Sequence, residues 1–228
     1  MQTWASVVTG SKLASKGMNL RYIPPSIQEG KTIVKLEQED IEEESAKWRM
    51  AIILYVIGDS PSIGAVERFL ITQWKFGEKP QVYYHNDDYF VIRFKSIEDR
   101  GEVLFSGPNT INNRHVIMKE WSIDFNFQNE VLKTIPLWVK FPKLPLSCWG
   151  GKSLCKISSG LGTPVYADEC TTKIARISYA RVLIEMDITR PLPTSIAVQD
   201  PKGGVFEQEV QYNWEPEYCA SCLKIGHN

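Results

Sequence analysis

Between residues 50 and 121 the apolar positions fall into six blocks whose spacing alternates between strand and helix periods. Residues 50–58 (MAIILYVIG) are a continuous apolar run of strand length, the pattern of a strand buried on both faces. Asp59-Ser60-Pro61-Ser62 supplies turn and helix-start chemistry, and Ile63, Val66, Phe69, Leu70 and Trp74 follow at helical spacing. Residues 80–84 are short and aromatic, and 85–88 (HNDD) form a hairpin-type turn. In residues 89–94, Phe90, Ile92 and Phe94 alternate with Tyr89, Val91 and Arg93. Ser96, with Asp99 three residues on, is a capping pattern for a second helix carrying Ile97, Val103, Leu104 and Phe105, which Gly107-Pro108 stops. Residues 114–121 (RHVIMKEW) predict the last strand. The predicted order over residues 48–121 is βαββαβ, a ferredoxin-like α+β arrangement.

That order resembles the RNA-recognition motif (RRM), in which aromatics on the central strands stack on unpaired bases. Residues 54–58 (LYVIG) are similar to its first-strand signature, with Tyr55 at the aromatic position. Tyr89 falls at one stacking position of the third strand, Val91 takes the next, and a Lys/Arg-Gly start is absent. Two readings stay open: Tyr55 and Tyr89 stack on bases, or they are ordinary half-buried strand residues. Arg93, Lys95, Arg114 and Lys119 are the basic side chains that would accompany them on a single strand.

Upstream, residues 1–36 are broken by Gly10, Gly17, Pro24-Pro25 and Gly30, and their charges are mostly basic. They predict an irregular arm with a short strand at 32–36. The acidic run 37–44 (EQEDIEEE) reads as a solvated face or linker, or as a partner for that basic arm. Residues 1–47 thus form an arm and acidic linker. Downstream, 122–132 is a polar linker, and residues 134–214 predict a smaller α+β unit. In it, 135–141 (IPLWVKF) is a strand, 142–145 (PKLP) a rigid turn, and 147–161 a helix with Leu154, Ile157 and Leu161 on one face. Strands follow at 164–166 and 177–188, where Tyr179, Arg181, Leu183, Glu185 and Asp187 alternate with Ala180, Val182, Ile184, Met186 and Ile188. A hairpin of 195–200 and 205–214 closes the unit, and no internal sequence repeat is visible.

Composition bounds the function. An apolar share of 43% and a charged share of 23% are those of a globular protein. No apolar run reaches membrane-spanning length, and the first residues lack a basic start followed by an apolar block, so an intracellular location, nuclear or cytoplasmic, is expected. The five cysteines are then thiols or metal ligands. A net charge of −1 argues against a dedicated sequence-independent nucleic-acid binder, so binding would rely on local patches.

Residues 217–228 carry a metal-type signature. Cys219, Cys222 and His227 have the spacing C-x2-C-x4-H, donor chemistry suited to tetrahedral Zn²⁺ in a loop too small to fold without it. This resembles the start of a CCHC zinc knuckle, whose fourth ligand would fall beyond Asn228, leaving the zinc site incomplete. In such knuckles apolar residues between the ligands contact unpaired bases, a role that would fall to Leu223 and Ile225; packing around the metal loop is the other reading.

A wider resemblance joins these parts. Residues 90–100 with Val103-Leu104 and Gly107-Pro108, then Trp121, Pro136-Leu137-Trp138-Val139, Leu144-Pro145-Leu146, Trp149, Ile157, Leu161-Gly162, Pro164, Asp168 and Thr171 recur in one family. So do Tyr179-Ala180-Arg181-Val182, Tyr212 and Trp214, ahead of Cys219, Cys222 and His227. The chain resembles the Gag-like plant proteins of LINE-type retroelements and their domesticated relatives, a plant domain of unknown function followed by a CCHC knuckle. The resemblance implies binding of RNA or another single-stranded nucleic acid within a ribonucleoprotein.

Enzyme parts are missing. Gly150-Gly151-Lys152-Ser153 lacks the upstream glycine of a phosphate loop. His85 and His115 have no nucleophile beside them, and no converging carboxylates suggest a two-metal nuclease. A non-enzymatic role is expected, with no small-molecule substrate and no membrane. The first hypothesis is single-stranded RNA or DNA binding through the sheet tyrosines, the basic residues and the knuckle. The alternative is a protein-interaction or assembly scaffold, self-associating, whose folded body does not itself bind nucleic acid. Covered rings at Tyr55 and Tyr89 would favour the second.

Overall fold

A computed structural model describes residues 17, 18, 20–85, 88–126, 133–219, 221 and 224–226. The chain divides into two compact units, Met1–Glu44 and Ser45–Asn228. In the first, strands β1 (Ser26–Gln28) and β2 (Lys31–Ile33) pair antiparallel. Glu29 and Gly30 between them take φ of 49° and 76°, the left-handed pair that a two-residue hairpin turn requires. The strand expected at 32–36 therefore lies at Lys31–Ile33 and has a partner. The acidic run opens helix α1 (Gln38–Trp48), and all of its residues but Ile41 are exposed, the solvated face that is one of the two expected readings. Glu39 and Asp40 occupy its first turn, where carboxylates meet the positive end of the helix dipole. Asp40 also accepts the backbone N–H of Glu37 at 2.7 Å.

The second unit contains the six elements read from the sequence, β3 (Ala51–Val56), α2 (Ile63–Gln73), β4 (Gln81–His85), β5 (Tyr89–Arg93), α3 (Ile97–Leu104) and β7 (Arg114–Glu120), and adds a short unexpected strand, β6 (Thr110–Ile111). Ser62 and Ser96 cap α2 and α3, their hydroxyls accepting from Ala65 N–H at 3.3 Å and Asp99 N–H at 3.1 Å. The sheet runs β4-β5-β3-β7-β6, every neighbouring pair antiparallel. Its four main strands stand in the order second, third, first, fourth, which is the ferredoxin-like fold. Ile52, Leu54 and Val56 face the helices and bury against Val66, Leu70, Phe90, Ile92 and Val103. Ile53 points to the other face and is equally buried, which explains the unbroken apolar run of β3.

The same topology recurs without a sequence repeat. The later elements are β8 (Thr134–Pro142), a 3-10 turn (Leu146–Cys148), α4 (Gly151–Ser159), β9 (Thr163–Ala167), α5 (Glu169–Thr172), β10 (Tyr179–Asp187), β11 (Ser195–Gln199), β12 (Val205–Glu209) and β13 (Gln211–Tyr212). Their sheet runs β13-β8-β10-β9, again fully antiparallel. This is the first sheet's strand order, with the β11–β12 hairpin standing where the second helix would be. The substitution hides the repeat, because a hairpin has a two-residue period and a helix has not. Ile135, Leu137, Val139, Phe141, Ala180, Val182, Ile184 and Met186 share one face and pack with Leu154 and Ile157 of α4. Ile196 and Val198 of the hairpin pack against the same cluster. Gln208 is buried and donates to the Pro142 carbonyl at 2.8 Å, tying hairpin to sheet. That cluster also takes in Ile53, Ile57, Tyr89 and Ile117 from the helix-free face of the first sheet. Residues 48–121 and 134–214 therefore share a core. No helix among the described residues is long and apolar enough to cross a membrane.

Candidate nucleic-acid interface

Tyr55 and Tyr89 are cross-strand partners with ring centroids 5.3 Å apart, at the register the sequence implies. They are not an open platform. Tyr89 is 6% exposed and meets Phe125 edge-on at 6.3 Å. Tyr55 is half-buried, and burial, followed by the charge of Asp88, raises its phenol above the usual range. Tyr55, Val91, Trp121 and Phe125 all pack on the shared cluster. The stacking role expected of Tyr89 is corrected to a core role, because the second sheet needs the same apolar face.

The basic candidates have partners within the fold. Arg93 lies 5.5 Å from the Trp48 ring and 5.7 Å from that of Tyr83, and donates to Gln81 Oε1. Lys95 Nζ is 3.9 Å from Glu78, both largely exposed, so this contact is weak. Arg114 pairs with Asp59 at 2.6 Å and donates to its carbonyl at 2.8 Å. Lys119 lines a cleft of 460 Å³ with Glu120, Asp124 and Glu185, an acidic setting that repels phosphate. A second cleft, of 600 Å³, has Arg114 on its wall but also Asp59, Glu215 and Glu217. His115 stacks on Trp214 there at 4.4 Å, and burial lowers its pKa.

The terminal loop is held by β14 (Tyr218–Cys219) and β15 (Lys224–Ile225), which pair antiparallel. Cys219 is half-buried on this hairpin. Cys222, Leu223 and His227 lie outside the described residues. Ile225 is 2% exposed and belongs to the shared core, so its expected base contact is corrected to packing. Gly226 (φ 84°) lies so close to Ile57 that a Cβ there would overlap it.

Residues the sequence reading did not single out as a site form a cation-rich cluster on the helix-free face of the second sheet. Lys140 and Arg181 are cross-strand partners, with Gln211 on the other side of Lys140. Arg181 lies 4.0 Å over the Trp138 ring and donates to Asn213 Oδ1 at 3.3 Å and to the Gly107 carbonyl. Arg176 lies 3.9 Å over the Tyr179 ring, with Lys140 Nζ 5.2 Å from it. Asp168 caps α5 by accepting from Thr171 N–H at 2.8 Å, and pairs with Arg176 at 3.0 Å and Arg181 at 3.9 Å. Burial works to raise the Asp168 pKa, but the hydrogen bonds from Thr171 and Arg176 and the Arg176 charge outweigh it and hold the carboxyl below its ordinary value. The signal available in the sequence was alternation, which puts Tyr179 and Arg181 on one face of β10 and Lys140 on the polar side of β8.

Residues 44–129 match the family described as a domain of unknown function (DUF4283). The chain is similar to an uncharacterized Arabidopsis thaliana protein, At4g02000, at 27% identity over 126 residues. That alignment covers 55% of this chain and 40% of the relative, so the chain spans well under half of that protein. Among solved structures, the chain is similar at 12% identity and TM-score 0.30 to the RNA-binding domain of Hrp1 in complex with RNA, covering 74% of this chain and 98% of that one. A sex-lethal protein/RNA complex matches at 11% identity and TM-score 0.30, covering 72% and 98%.

Proposed function

We propose that the chain is a non-enzymatic Gag-like protein that binds single-stranded nucleic acid, RNA first, in forming the ribonucleoprotein of a plant retroelement or a domesticated derivative. The observation that carries this reading is the C-x2-C-x4-H spacing of Cys219, Cys222 and His227 in the sequence, of which Cys219 lies on the β14–β15 hairpin beside the buried Ile225. Cys219, Cys222 and His227 are the residues that would hold Zn²⁺. The metal would fold the short loop, next to which Ile225 is buried. No step of catalysis is assigned. The test is Co²⁺ titration with RNA anisotropy. Thiolate-to-cobalt absorption is expected, lost in Cys219→Ser and Cys222→Ser, together with metal-dependent binding of a labelled single-stranded RNA. Metal-independent behaviour of both would overturn the zinc assignment.

A second reading has its own support. The covered face at Tyr89 supports an assembly scaffold whose folded body does not itself bind nucleic acid. It predicts concentration-dependent self-association in sedimentation velocity without RNA. A monomer at all concentrations would remove it.

A further inference from the structure

Lys140 on β8 and Arg181 on β10 stand directly opposite each other and share the helix-free face of the second sheet. Like charges at directly opposed positions are destabilising unless something offsets them. Arg176 adds a third cation beside them, over the Tyr179 ring. The carboxylate in contact with this group is Asp168, which engages Arg176 and Arg181. Lys140 forms no ion pair among the described residues, so the cluster keeps an excess of positive charge.

The cluster is also held in place. Arg181 is fixed by Trp138, Asn213 and the Gly107 carbonyl, and Arg176 Nε donates to the Tyr179 carbonyl at 3.3 Å. Their side chains keep 18% and 24% exposure, enough to meet a ligand without being free to wander. Tyr179 remains half-buried between the cations. Guanidinium and ammonium donors grouped around an aromatic ring suit a phosphodiester backbone whose bases are unpaired. β8 and β10 are the central strands of this sheet, the strands from which an RRM-type sheet presents its ligand-facing residues.

We propose that Lys140, Arg176, Tyr179 and Arg181 form a surface of the folded body that grips the phosphate backbone of single-stranded RNA. The proposal rests on RNA being the partner, as argued above, and assigns the binding to a surface separate from the terminal loop.

The test compares the full chain with Lys140→Gln and, as a control, Lys152→Gln, an exposed lysine of α4 on the opposite side of the sheet. Each is titrated by fluorescence anisotropy against one labelled single-stranded RNA over a salt series. Lys140→Gln is expected to bind several-fold more weakly at low salt and to lose about 0.7 from the log–log salt slope, one phosphate contact on a single strand. Lys152→Gln should match the parent. In the parent, bound RNA should protect the Lys140 amine from acylation read by mass spectrometry. If the parent binds and Lys140→Gln keeps its affinity and slope, or Lys152→Gln loses as much, this surface is overturned and RNA binding stands. Equal competition by a duplex RNA would overturn the single-strand assignment. If the parent binds no single strand, both the surface and the RNA reading fall.

Discussion

Tyr89 lies across the β3–β5 pair from Tyr55 with its ring closed in by Phe125, so one of the two tyrosines that could stack on a base is part of the core. Its first role is to join two sheets. Tyr89→Ala is therefore expected to destabilise the chain by about 3–5 kcal/mol, the range for truncating a buried aromatic. Urea unfolding checks it: the midpoint should fall with little change in slope. An unmoved midpoint would mean that the ring is accessible after all.

Ile225 separates packing from recognition in the terminal loop. At 2% exposure, Ile225→Ala should cost about 2–5 kcal/mol in unfolding free energy. A base-contact role would instead weaken RNA binding and leave the melting midpoint where it was.

Gly162, the last residue before β9, approaches the β10 backbone so closely that an added Cβ would overlap the Glu185 carbonyl. Backbone cannot move aside as a side chain can. Gly162→Ala is expected to lose about 1–3 kcal/mol, read as a lower thermal midpoint, whereas Gly151→Ala, which meets nothing within 4 Å, should not.

His115 and Asp168, both shifted and buried in part, contribute to the acid side of the stability profile. Burial lowers His115 below its ordinary 6.5, so the unfolded chain takes up that proton first. Its contribution is complete above pH 6.5 and is lost as pH falls through the lower folded value. Asp168 is held below 3.8, so its contribution is complete above that pH and is lost as pH falls through the folded value. His115→Phe should keep the stack on Trp214 and flatten the upper step. Asp168→Asn should remove the lower step and cost about 1.5–3 kcal/mol at neutral pH. Urea midpoints between pH 3 and pH 8 would check both.

The first module was legible because its chemistry is local. The Ser62 and Ser96 caps, the helical spacing of Ile63 to Leu70, and the alternation of Phe90 and Ile92 each act within a few residues. The candidate site was less legible. Arg93 and Arg114 were identifiable as cations, but their partners Trp48 and Asp59 lie far along the chain.

By itself the sequence determined the main strands and helices of the first module, the order that makes its sheet ferredoxin-like, and the C-x2-C-x4-H donor set. Only the tertiary structure decided that a hairpin replaces the second helix of the second sheet, that the first sheet's free face is covered, and that Lys140 meets Arg181, 41 positions on in the sequence. The reason is physical: a strand's pattern shows that two faces exist, but which face is covered depends on what the rest of the chain packs against it.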